Sequence, residues 1–324
     1  MKDLAEIGFY TLEDHRAKGA SATSPLWRCE LLVTAACNFR CPYCRGVPEE
    51  DNRTLTWEQA RRVLDLWIEG GLRNVRFTGG EPTMWHSIER AVHYCRGRGV
   101  GRIAISTNGS AGWDKYEALI DAGVDDFSVS LDACCSSTAD AMAGLTVPLD
   151  TILENIQRLS RHTYTTVGVV LTPENISEAR STILLAHSLG VADVRVIPAA
   201  QWQPGIADQL DLPRLVLDAH PILAYRMNRA NNGRSIRGIG DSDTNRCPLV
   251  LDDMAVMNGK HFPCVIYMRE WGQPIGRVGP NMREERRRWF ADHDTHTDSI
   301  CRGNCLDVCV DYNNRFVALA REMA

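Results

Sequence analysis

Six short runs of apolar and β-branched residues alternate with amphipathic helical stretches over residues 28–198, and this alternation constrains the fold most strongly. Because helices separate the strands, we expect the strands to pair in parallel through right-handed crossovers. Six strands are fewer than the eight of a closed barrel. The pattern therefore predicts an α/β fold built on a partial (β/α)6 TIM-like barrel. The predicted strands are Arg28–Thr34, Asn74–Thr78, Arg102–Thr107, Asp126–Leu131, Thr165–Leu171 and Asp193–Ile197.

Helix starts can be located from capping signals between these strands. Thr56 and Gln59 have the spacing of a capping box, which predicts a helix that begins after Thr56. Beyond Pro198 the alternation stops, and one more helical stretch is predicted near Leu212–Asn228. The other predicted helices begin near Ser87, Asp114, Asp150 and Ile176.

The change of pattern after Pro198 divides the chain into three parts. Residues 1–27 are polar and aperiodic and form an N-terminal lead-in. Residues 28–235 contain the partial barrel and the helical region that follows it. Residues 236–324 hold five of the twelve cysteines and are predicted to form a small C-terminal domain.

Charge and hydropathy exclude several classes of partner. The 36 basic and 41 acidic side chains give a net charge of −5, so we expect no general attraction to nucleic acid or to an anionic membrane. The basic run at residues 283–288 contains two glutamates and is predicted to be a solvated helix face. The N-terminus has no apolar core of a signal peptide, and no stretch approaches the roughly 18 apolar residues of a membrane span. We therefore expect a cytoplasmic protein.

Three cysteines, Cys37, Cys41 and Cys44, follow the first strand with the spacing C-x3-C-x2-C. Three thiolates on so short a loop can hold one iron–sulfur cube. The fourth iron is then left open, as a reactive metal site requires. The alternatives are a zinc knuckle or a set of buried free thiols, since short cysteine motifs serve several metals.

This motif resembles the signature of the radical S-adenosylmethionine (SAM) superfamily, and Gly79, Gly80 and Glu81 at the second strand end resemble the family's GGE motif. The resemblance implies a [4Fe–4S] cluster whose open iron binds SAM. An electron from the cluster then cleaves SAM to methionine and a 5′-deoxyadenosyl radical. The resemblance also implies that Tyr43 lies near the adenine and that the GGE residues bind the amino group of SAM.

Later strand ends carry further residues that resemble SAM-pocket positions of the family. They would contact the SAM carboxylate or ribose. Taken alone, the Asn108-Gly109 pair is only a turn signal. The candidate cofactor-binding residues beyond the GGE motif are Ser106, Asn108, Ser130 and Asp132, with Thr172 and Asn175 as weaker candidates.

A second group of cysteines lies near the C-terminus. Asn258-Gly259 predicts a hairpin that brings Cys247 and Cys264 together. The later cysteines recur at every fourth residue and would share one face if their segment is helical. They are Cys301, Cys305 and Cys309.

These five cysteines resemble the SPASM/twitch extension of radical SAM enzymes, although the second half of the pattern departs from the full SPASM spacing. The resemblance implies an auxiliary iron–sulfur site. We predict one auxiliary [4Fe–4S] cluster, ligated by Cys247, Cys264 and two of the last three cysteines, with Cys301 and Cys305 as the first choice. A structural zinc site is the alternative.

Two adjacent thiols, Cys134 and Cys135, directly follow the fourth strand near Asp132. We assign all three as candidate catalytic residues, because a thiol at this rim could return a hydrogen atom to a substrate radical. The alternative is that both thiols are small core residues, which is the usual fate of free cysteine. Cys29 and Cys95 are predicted to be core residues.

The resemblance implies abstraction of a hydrogen atom from an unactivated carbon, followed by oxidation or epimerisation. We expect no N-terminal peptide-recognition domain, because the first motif begins at residue 37. This favours a small natural-product intermediate such as a sugar, aminocyclitol or nucleoside over a ribosomally synthesised peptide that is crosslinked or epimerised. The family resemblance further implies a flavodoxin- or ferredoxin-type electron donor. The opposing class is a non-enzymatic zinc-binding module.

Overall fold

The computed structural model describes residues 19–21, 23–46, 53–200, 202 and 210–322. The first 18 residues of the predicted lead-in segment therefore lie outside the described residues.

A nine-stranded sheet forms the centre of the molecule, and its first six strands run parallel to one another. The strand order is β6-β5-β4-β3-β2-β1-β7-β8-β9. Sequential neighbours joined by helices give the partial (β/α)6 barrel that the sequence predicts, and this prediction is confirmed. The six parallel strands are β1 (Arg28–Thr34), β2 (Asn74–Gly79), β3 (Arg102–Thr107), β4 (Asp126–Ser130), β5 (Tyr164–Leu171) and β6 (Asp193–Pro198).

The helices of the barrel cover the outer face of this sheet. Each predicted helix start lies within a few residues of an observed one. The predicted capping box is also present, because the Thr56 hydroxyl accepts the N–H of Gln59 and the Gln59 side chain accepts the N–H of Thr56. One predicted helix after Leu212 is instead two short helices. The helices are α1 (Trp57–Glu69), α2 (Ile88–Gly97), α3 (Trp113–Ala122), α4 (Ser136–Ala143), α5 (Leu149–His162), α6 (Ala179–Ser188), α7 (Arg214–Ala219) and α8 (Pro221–Asn231).

Helix α4 was not predicted from the sequence. Its eight residues have a weak apolar pattern that no periodicity argument would select, and it ends at Gly144 in the left-handed region (φ 69°). Ala139, Met142 and Ala143 are its buried residues. The helix is stabilised by what it packs against, which only the tertiary structure provides.

The two faces of the parallel sheet differ in chemistry. One of the two alternating sets of strand positions, which includes Val75, Phe77 and Ile103, is buried in the core between sheet and helices, where Cys29 and Cys95 also lie as predicted. The alternate positions face the inner, concave side of the barrel. There the side chains are largely polar, in contrast to the branched apolar side chains that fill closed barrels.

The cysteine-rich C-terminal part continues the same sheet. Strand β7 (Asp253–Met257) pairs in parallel with β1, and β8 (Lys260–Phe262) and β9 (Gly276–Arg277) follow in antiparallel order. Asn258 and Gly259 have φ values of 49° and 72°, as the predicted two-residue hairpin turn requires. The division of the chain near residue 235 stays a prediction, since backbone hydrogen bonds join the two parts.

Four further helices complete the C-terminal part: α9 (Val265–Arg269), α10 (Met282–Asp292), α11 (Ser299–Asn304) and α12 (Asp307–Glu322). The last three cysteines do not lie on one helix, because Cys305 ends α11 in an extended conformation before α12 begins. The expectation of a single helical face is therefore wrong.

The basic run of α10 is also not a simple solvated face. Arg286 is only 1% exposed, and its guanidinium donates to the carbonyl oxygens of Val250, Phe262 and Pro263. Only part of the run, including Arg287, is exposed as predicted. Among the helices in the described ranges, none is long and apolar enough to cross a lipid bilayer.

Candidate active site

A cavity of about 250 Å³ opens at the carboxyl ends of the barrel strands. This is the edge at which parallel α/β sheets place their functional residues. Ten of the predicted site residues line the cavity: Cys37, Cys41, Tyr43, Cys44, Gly79, Gly80, Ser106, Asn108, Ser130 and Asp132.

The three cysteines lie on the loop of residues 35–46, which we call the cluster loop. Backbone N–H groups of Phe39 and Gly46 donate to the Sγ atoms of Cys37 and Cys44 at 3.3 Å each. Burial is the main cause that raises the pKa of the Cys37 thiol and raises that of Cys41 to about 11, and the neighbouring thiols contribute to both rises. Three thiolates this close repel one another unless a cation lies among them, so the donor set fits an iron–sulfur cube with amide donors to sulfur.

Tyr43 connects the cluster loop to the fourth strand. Its phenol donates to Oδ2 of Asp132, and the N–H of Val170 donates to Oδ1 at 2.7 Å. Burial raises the pKa of Asp132 to about 6, although both hydrogen bonds oppose that rise. The Tyr43 ring is therefore held against the cavity wall, in the region predicted to receive the adenine.

Gly79 and Gly80 are required for a reason that the sequence did not reveal. A Cβ on Gly79 would lie 2.4 Å from the carbonyl oxygen of Thr34, and one on Gly80 would lie 2.3 Å from that of Ala36. In the structure they let the end of β2 approach the backbone of the cluster loop.

Glu81 is nearly fully buried, at 1% exposure, and its carboxylate is occupied by neighbouring groups. Oε1 accepts hydrogen bonds from the Thr83 and Thr107 hydroxyls, and Oε2 accepts one from the N–H of Asn108 at 2.7 Å. Glu81 is not among the residues that line the cavity in the described chain. It joins the ends of β2 and β3, while its predicted contact with the SAM amino group stays a prediction.

Thr172 and Asn175 also lie behind the cavity wall. Asn175 is fully buried, and its amide donates to the carbonyl oxygens of Asp132 and Val170 at 2.7 and 2.8 Å. Its Oδ1 accepts the N–H of Thr172 at 2.8 Å. In the structure these two residues hold the ends of β4 and β5 together.

Cys134 and Cys135 contact the carboxylate of Glu178 and do not line the cavity. The two Sγ atoms lie 3.8 and 3.3 Å from Oε2 of Glu178, whose other oxygen accepts from the Thr138 hydroxyl at 2.7 Å. Neither thiol is among the described residues that line the cavity. The geometry therefore gives no support to the hypothesis that they donate a hydrogen atom.

Arg269 is a cavity residue that the sequence reasoning missed. It ends α9 in the C-terminal part, and its guanidinium donates to the carbonyl oxygen of Gly79 at 2.7 Å. No pattern in the sequence places residue 269 beside residue 79, because their proximity depends on the pairing of β7 with β1. Arg269 brings a positive charge to the cavity wall.

A second, enclosed cavity of about 30 Å³ lies in the C-terminal part, and all five late cysteines line it. Burial, with a smaller contribution from the charge of Cys309, raises the pKa of the Cys247 and Cys264 thiols to about 12. The N–H of Tyr267 donates to Cys264 at 3.4 Å, and the Asn313 amide donates to Cys247 at 3.6 Å. This set of crowded thiols with amide donors fits a second iron–sulfur cluster, and it contains one cysteine more than a cube needs.

The two cysteine sites are close neighbours. Cys264 caps the N-terminus of α9, whose five residues end at Arg269 in the wall of the first cavity. A helix of this length spans about 7 Å. Glu270 adds an ion pair with Arg45 of the cluster loop at 2.8 Å. The C-terminal part is therefore positioned to influence both sites.

A charged group that we call the lumen cluster lies on the inner face of the barrel and consists of Arg76, Arg102, Asp126 and Arg195. Oδ2 of Asp126 lies 3.4 Å from Nη2 of Arg76 and 3.1 Å from Nη2 of Arg102. Nη1 of Arg76 also donates to the hydroxyl of Ser106, a cavity residue, at 3.1 Å. The lumen cluster is thus one hydrogen bond away from the cavity.

Arg195 adds a third guanidinium to this group. Its Nε is buried and has no hydrogen-bond partner among the residues that the structure describes. Burial lowers the pKa of Arg195, and the positive charge of Arg76 lowers it further. Glu30 lies beside Arg76 in the sheet register, and Asp193 is a further carboxylate that attracts Arg195, so three arginines face three carboxylates.

Comparisons with known proteins agree with this site. The family model described as the radical SAM superfamily matches residues 31–186, which contain the cluster loop and the ends of strands β1 to β5. A probable GTP 3′,8-cyclase of Metallosphaera sedula is 28% identical over 177 residues, 53% of this chain and 56% of the relative. The GTP 3′,8-cyclase of Acidothermus cellulolyticus is 34% identical over 143 residues, 41% of this chain and 39% of the relative. The chain spans about half the length, or less, of these curated relatives.

Solved structures share the fold over more of the chain. Streptococcus suis SuiB bound to S-adenosylmethionine has a TM-score of 0.58 at 15% identity, covering 83% of this chain and 66% of that chain. The structure of anSMEcpe with bound AdoMet and the Cp18Cys peptide has a TM-score of 0.56 at 13% identity, covering 91% of this chain and 95% of that chain. At these identities the likeness shows the fold alone. The family model, the cysteine motif and the cavity that it lines agree, and residues 31–186 are a radical SAM domain.

Proposed function

We propose that this protein is a radical SAM enzyme with one auxiliary [4Fe–4S] cluster, and that it abstracts a hydrogen atom from an anionic small molecule of the nucleotide type. The observation that carries the substrate class is the lumen cluster beside the cavity, together with Arg269 in the cavity wall. Arg76, which donates to the cavity residue Ser106, and Arg269 place two guanidinium groups where they would bind a phosphate or carboxylate of the substrate.

The residues of the first site have distinct tasks in this proposal. Cys37, Cys41 and Cys44 would hold the SAM-binding [4Fe–4S] cluster, which supplies the electron that cleaves SAM to methionine and the 5′-deoxyadenosyl radical. Tyr43, tied to Asp132, closes the wall on the adenine side. The apolar side chains of Met142, Leu149 and Val170 line the remaining wall and exclude water from a reactive radical.

The curated relatives support the nucleoside member of the substrate class predicted from the sequence. One of the relatives named above is a GTP 3′,8-cyclase and the other a probable GTP 3′,8-cyclase, which favours a radical rearrangement of a nucleotide over the oxidation of a sugar. The match covers about half of each relative, so the lumen cluster is the independent support for an anionic substrate. GTP, ATP and their nucleosides are the first compounds to test.

The radical chemistry is tested by anaerobic reconstitution with iron and sulfide, followed by dithionite and SAM. We expect about eight irons per chain for two cubes, and formation of 5′-deoxyadenosine. A colourless protein that retains zinc at both sites would support the non-enzymatic zinc-binding module. Replacing dithionite by reduced flavodoxin or ferredoxin tests the proposed electron donor.

The substrate class is tested by the rate of 5′-deoxyadenosine formation with GTP, ATP, guanosine and adenosine. We expect a nucleotide to raise the rate and to transfer deuterium into 5′-deoxyadenosine when it is labelled at the abstracted position. The variants Arg76→Gln and Arg195→Gln should each raise KM for the nucleotide about tenfold, the effect of one lost charged hydrogen bond.

Arg277→Gln, which removes an exposed arginine of β9, is the matched control and should leave KM unchanged. Equal stimulation by a nucleotide and its uncharged nucleoside would contradict the role of the lumen cluster. Full turnover in the Cys134→Ala/Cys135→Ala double variant would remove the remaining hypothesis of a thiol hydrogen donor.

Modification of a ribosomally synthesised peptide is the second candidate function. It is favoured by the fold, since SuiB has been solved with its precursor peptide SuiA and anSMEcpe with the Cp18Cys peptide. The same assay with these two peptides as probes separates the candidates. Stimulation by a peptide and by none of the nucleotides would favour this second function.

A further inference from the structure

Three aromatic side chains surround Cys301 at the edge of the second cysteine cavity. Tyr267 and Trp289 line that cavity, and Trp289 also lines an open surface basin with His293. The rings of Trp289 and His293 are stacked, with centroids 3.9 Å apart and an angle of 18° between their planes. The edge of Tyr267 faces both rings at 6.3 to 6.4 Å. His293 is thus held in one orientation.

This orientation directs one ring nitrogen of His293 to a cysteine sulfur. Nε2 of His293 lies 3.9 Å from Sγ of Cys301, within the range of a hydrogen bond to sulfur. In the tautomer that carries its hydrogen on Nε2, the neutral imidazole donates to a thiolate at this position. The sequence reasoning assigned no role to any histidine.

Asp298 lies close to the same nitrogen, at 3.5 Å from Nε2. Its carboxylate already has two other donors, because Oδ1 accepts the N–H of Cys301 at 2.8 Å and Oδ2 accepts the Tyr267 hydroxyl at 2.9 Å. Asp298 also caps the N-terminus of α11, which carries Cys301. The carboxylate therefore fixes the cysteine backbone and the tyrosine, and Oδ2 of Asp298 and Sγ of Cys301 are the two acceptors within reach of the histidine N–H.

We propose that His293 is a positioning residue that donates a hydrogen bond to the Cys301 thiolate and thereby raises the reduction potential of the auxiliary cluster. This inference rests on the auxiliary cluster of the proposed function. Reduction adds one electron to the cluster and increases the negative charge on its cysteine sulfurs. A hydrogen-bond donor to such a sulfur stabilises the reduced state more than the oxidised state.

A different use of the same residues has to be separated from this one. The ligand atoms of His293, Asp298 and Cys301 all lie within 4.8 Å of one another, which is also the spacing of a mononuclear metal site. The cavity contains five cysteines, so a cube could be completed without Cys301. Metal analysis distinguishes a cluster with an outer hydrogen bond from a separate zinc ion.

The experiment is an EPR-monitored redox titration of the reconstituted full-length protein, with one electron exchanged between a dye mediator and the cluster. The auxiliary cluster is identified as the signal that does not change when SAM is added. In His293→Leu we expect the ratio of reduced to oxidised cluster at a given potential to fall about tenfold, which is about 59 mV toward lower potential. His293→Gln, which keeps an N–H donor, should restore part of the shift.

His162→Leu is the matched control, because His162 also lies against a tryptophan, Trp113, but near no cysteine of either site. Its midpoint potential should equal that of the wild type. An unchanged midpoint potential in His293→Leu at full iron content would overturn the proposal. It would also be overturned if His293→Leu contained one zinc ion per chain fewer than the wild type and the same amount of iron, because His293 would then be a zinc ligand. Failure of the proposed function itself would appear earlier, as the absence of the SAM-insensitive cluster signal.

One further measurement does not depend on the folding of a variant. Electron–nuclear double resonance on the reduced wild-type protein should detect an exchangeable proton coupled to the SAM-insensitive cluster. The coupling should disappear after exchange into deuterium oxide. The absence of any exchangeable proton beyond those of the backbone donors and the Asn313 amide would contradict the hydrogen bond from His293.

Discussion

The substitution Gly80→Ala tests how the barrel holds its cluster loop. An added Cβ would lie 2.3 Å from the carbonyl oxygen of Ala36 and 2.5 Å from that of Ala35. The turn cannot swing away freely, because Gly80 N–H donates to Thr34 at 2.7 Å and Glu81 N–H donates to Ala36 at 2.8 Å. The strain must therefore move the cluster loop itself.

The size of the movement follows from the contact distance. Real Cβ atoms essentially never approach another atom closer than 3.0 Å, so the carbonyl of Ala36 must move by about 0.7 Å, from 2.3 to 3.0 Å. Ala36 directly precedes Cys37, and a misplacement on the order of 1 Å in a reacting site costs about a hundredfold in rate. Overpacking adds a loss of about 1–3 kcal/mol in the free energy of unfolding.

The assay is the rate of 5′-deoxyadenosine formation from SAM with dithionite, measured with iron content and urea unfolding. Gly80→Ala should lower the rate about a hundredfold while the auxiliary cluster is retained. Gly97→Ala is the control, since Gly97 ends α2 with no atom within 4 Å of its added Cβ, and it should be neutral or stabilise by up to about 1 kcal/mol. A Gly80→Ala protein with the wild-type rate and stability would refute the reasoning.

Three other perturbations give distinct outcomes. Arg286→Leu leaves several buried carbonyl oxygens without a donor and should reduce the free energy of unfolding by at least about 3 kcal/mol in urea titrations, whereas exposed Arg287→Leu should change it by less than about 0.5 kcal/mol. Cys247→Ala and Cys264→Ala should each halve the iron content. Of the single alanine variants of Cys301, Cys305 and Cys309, one should keep the auxiliary cluster, because five cysteines line the cavity and a [4Fe–4S] cluster needs only four thiolate ligands. Burial lowers the pKa of His220 below its ordinary value of 6.5 in the folded protein. As the pH falls, the unfolded chain therefore binds a proton at this histidine before the folded chain does, and the free energy of unfolding should decrease below pH 6.5. His220→Gln should flatten that part of the stability curve, and an unchanged slope would contradict the assignment.

The barrel was predictable because its signals are local. Each strand is a short apolar run, and each turn that follows it carries polar or small residues, so the six strands were found within one residue at almost every end. The capping box at Thr56 is equally local, because it needs only residues three positions apart. Helix α4 was missed because its stability comes from packing and not from its own periodicity.

The candidate site was predictable at its strand ends and less so in its surroundings. The motif residues that line the cavity follow strands directly, so their positions come from the topology of a parallel sheet. The tasks of Glu81 and Asn175 were not predictable, because both join the ends of neighbouring strands through backbone groups distant in sequence. Arg269 and the lumen cluster depend on contacts between elements that no spacing in the sequence reveals.

The sequence by itself determined the strand–helix alternation, the cysteine motif of the cluster loop and the presence of a second group of thiols, since all three are patterns of nearby residues. Only the tertiary structure decided that β7 pairs with β1 and brings Arg269 beside Gly79. It alone decided that Arg286 is buried, that Cys134 and Cys135 contact Glu178, and that His293 reaches Cys301. The physical reason is that burial and hydrogen-bond partners depend on packing between segments far apart in the chain, which local propensity does not encode.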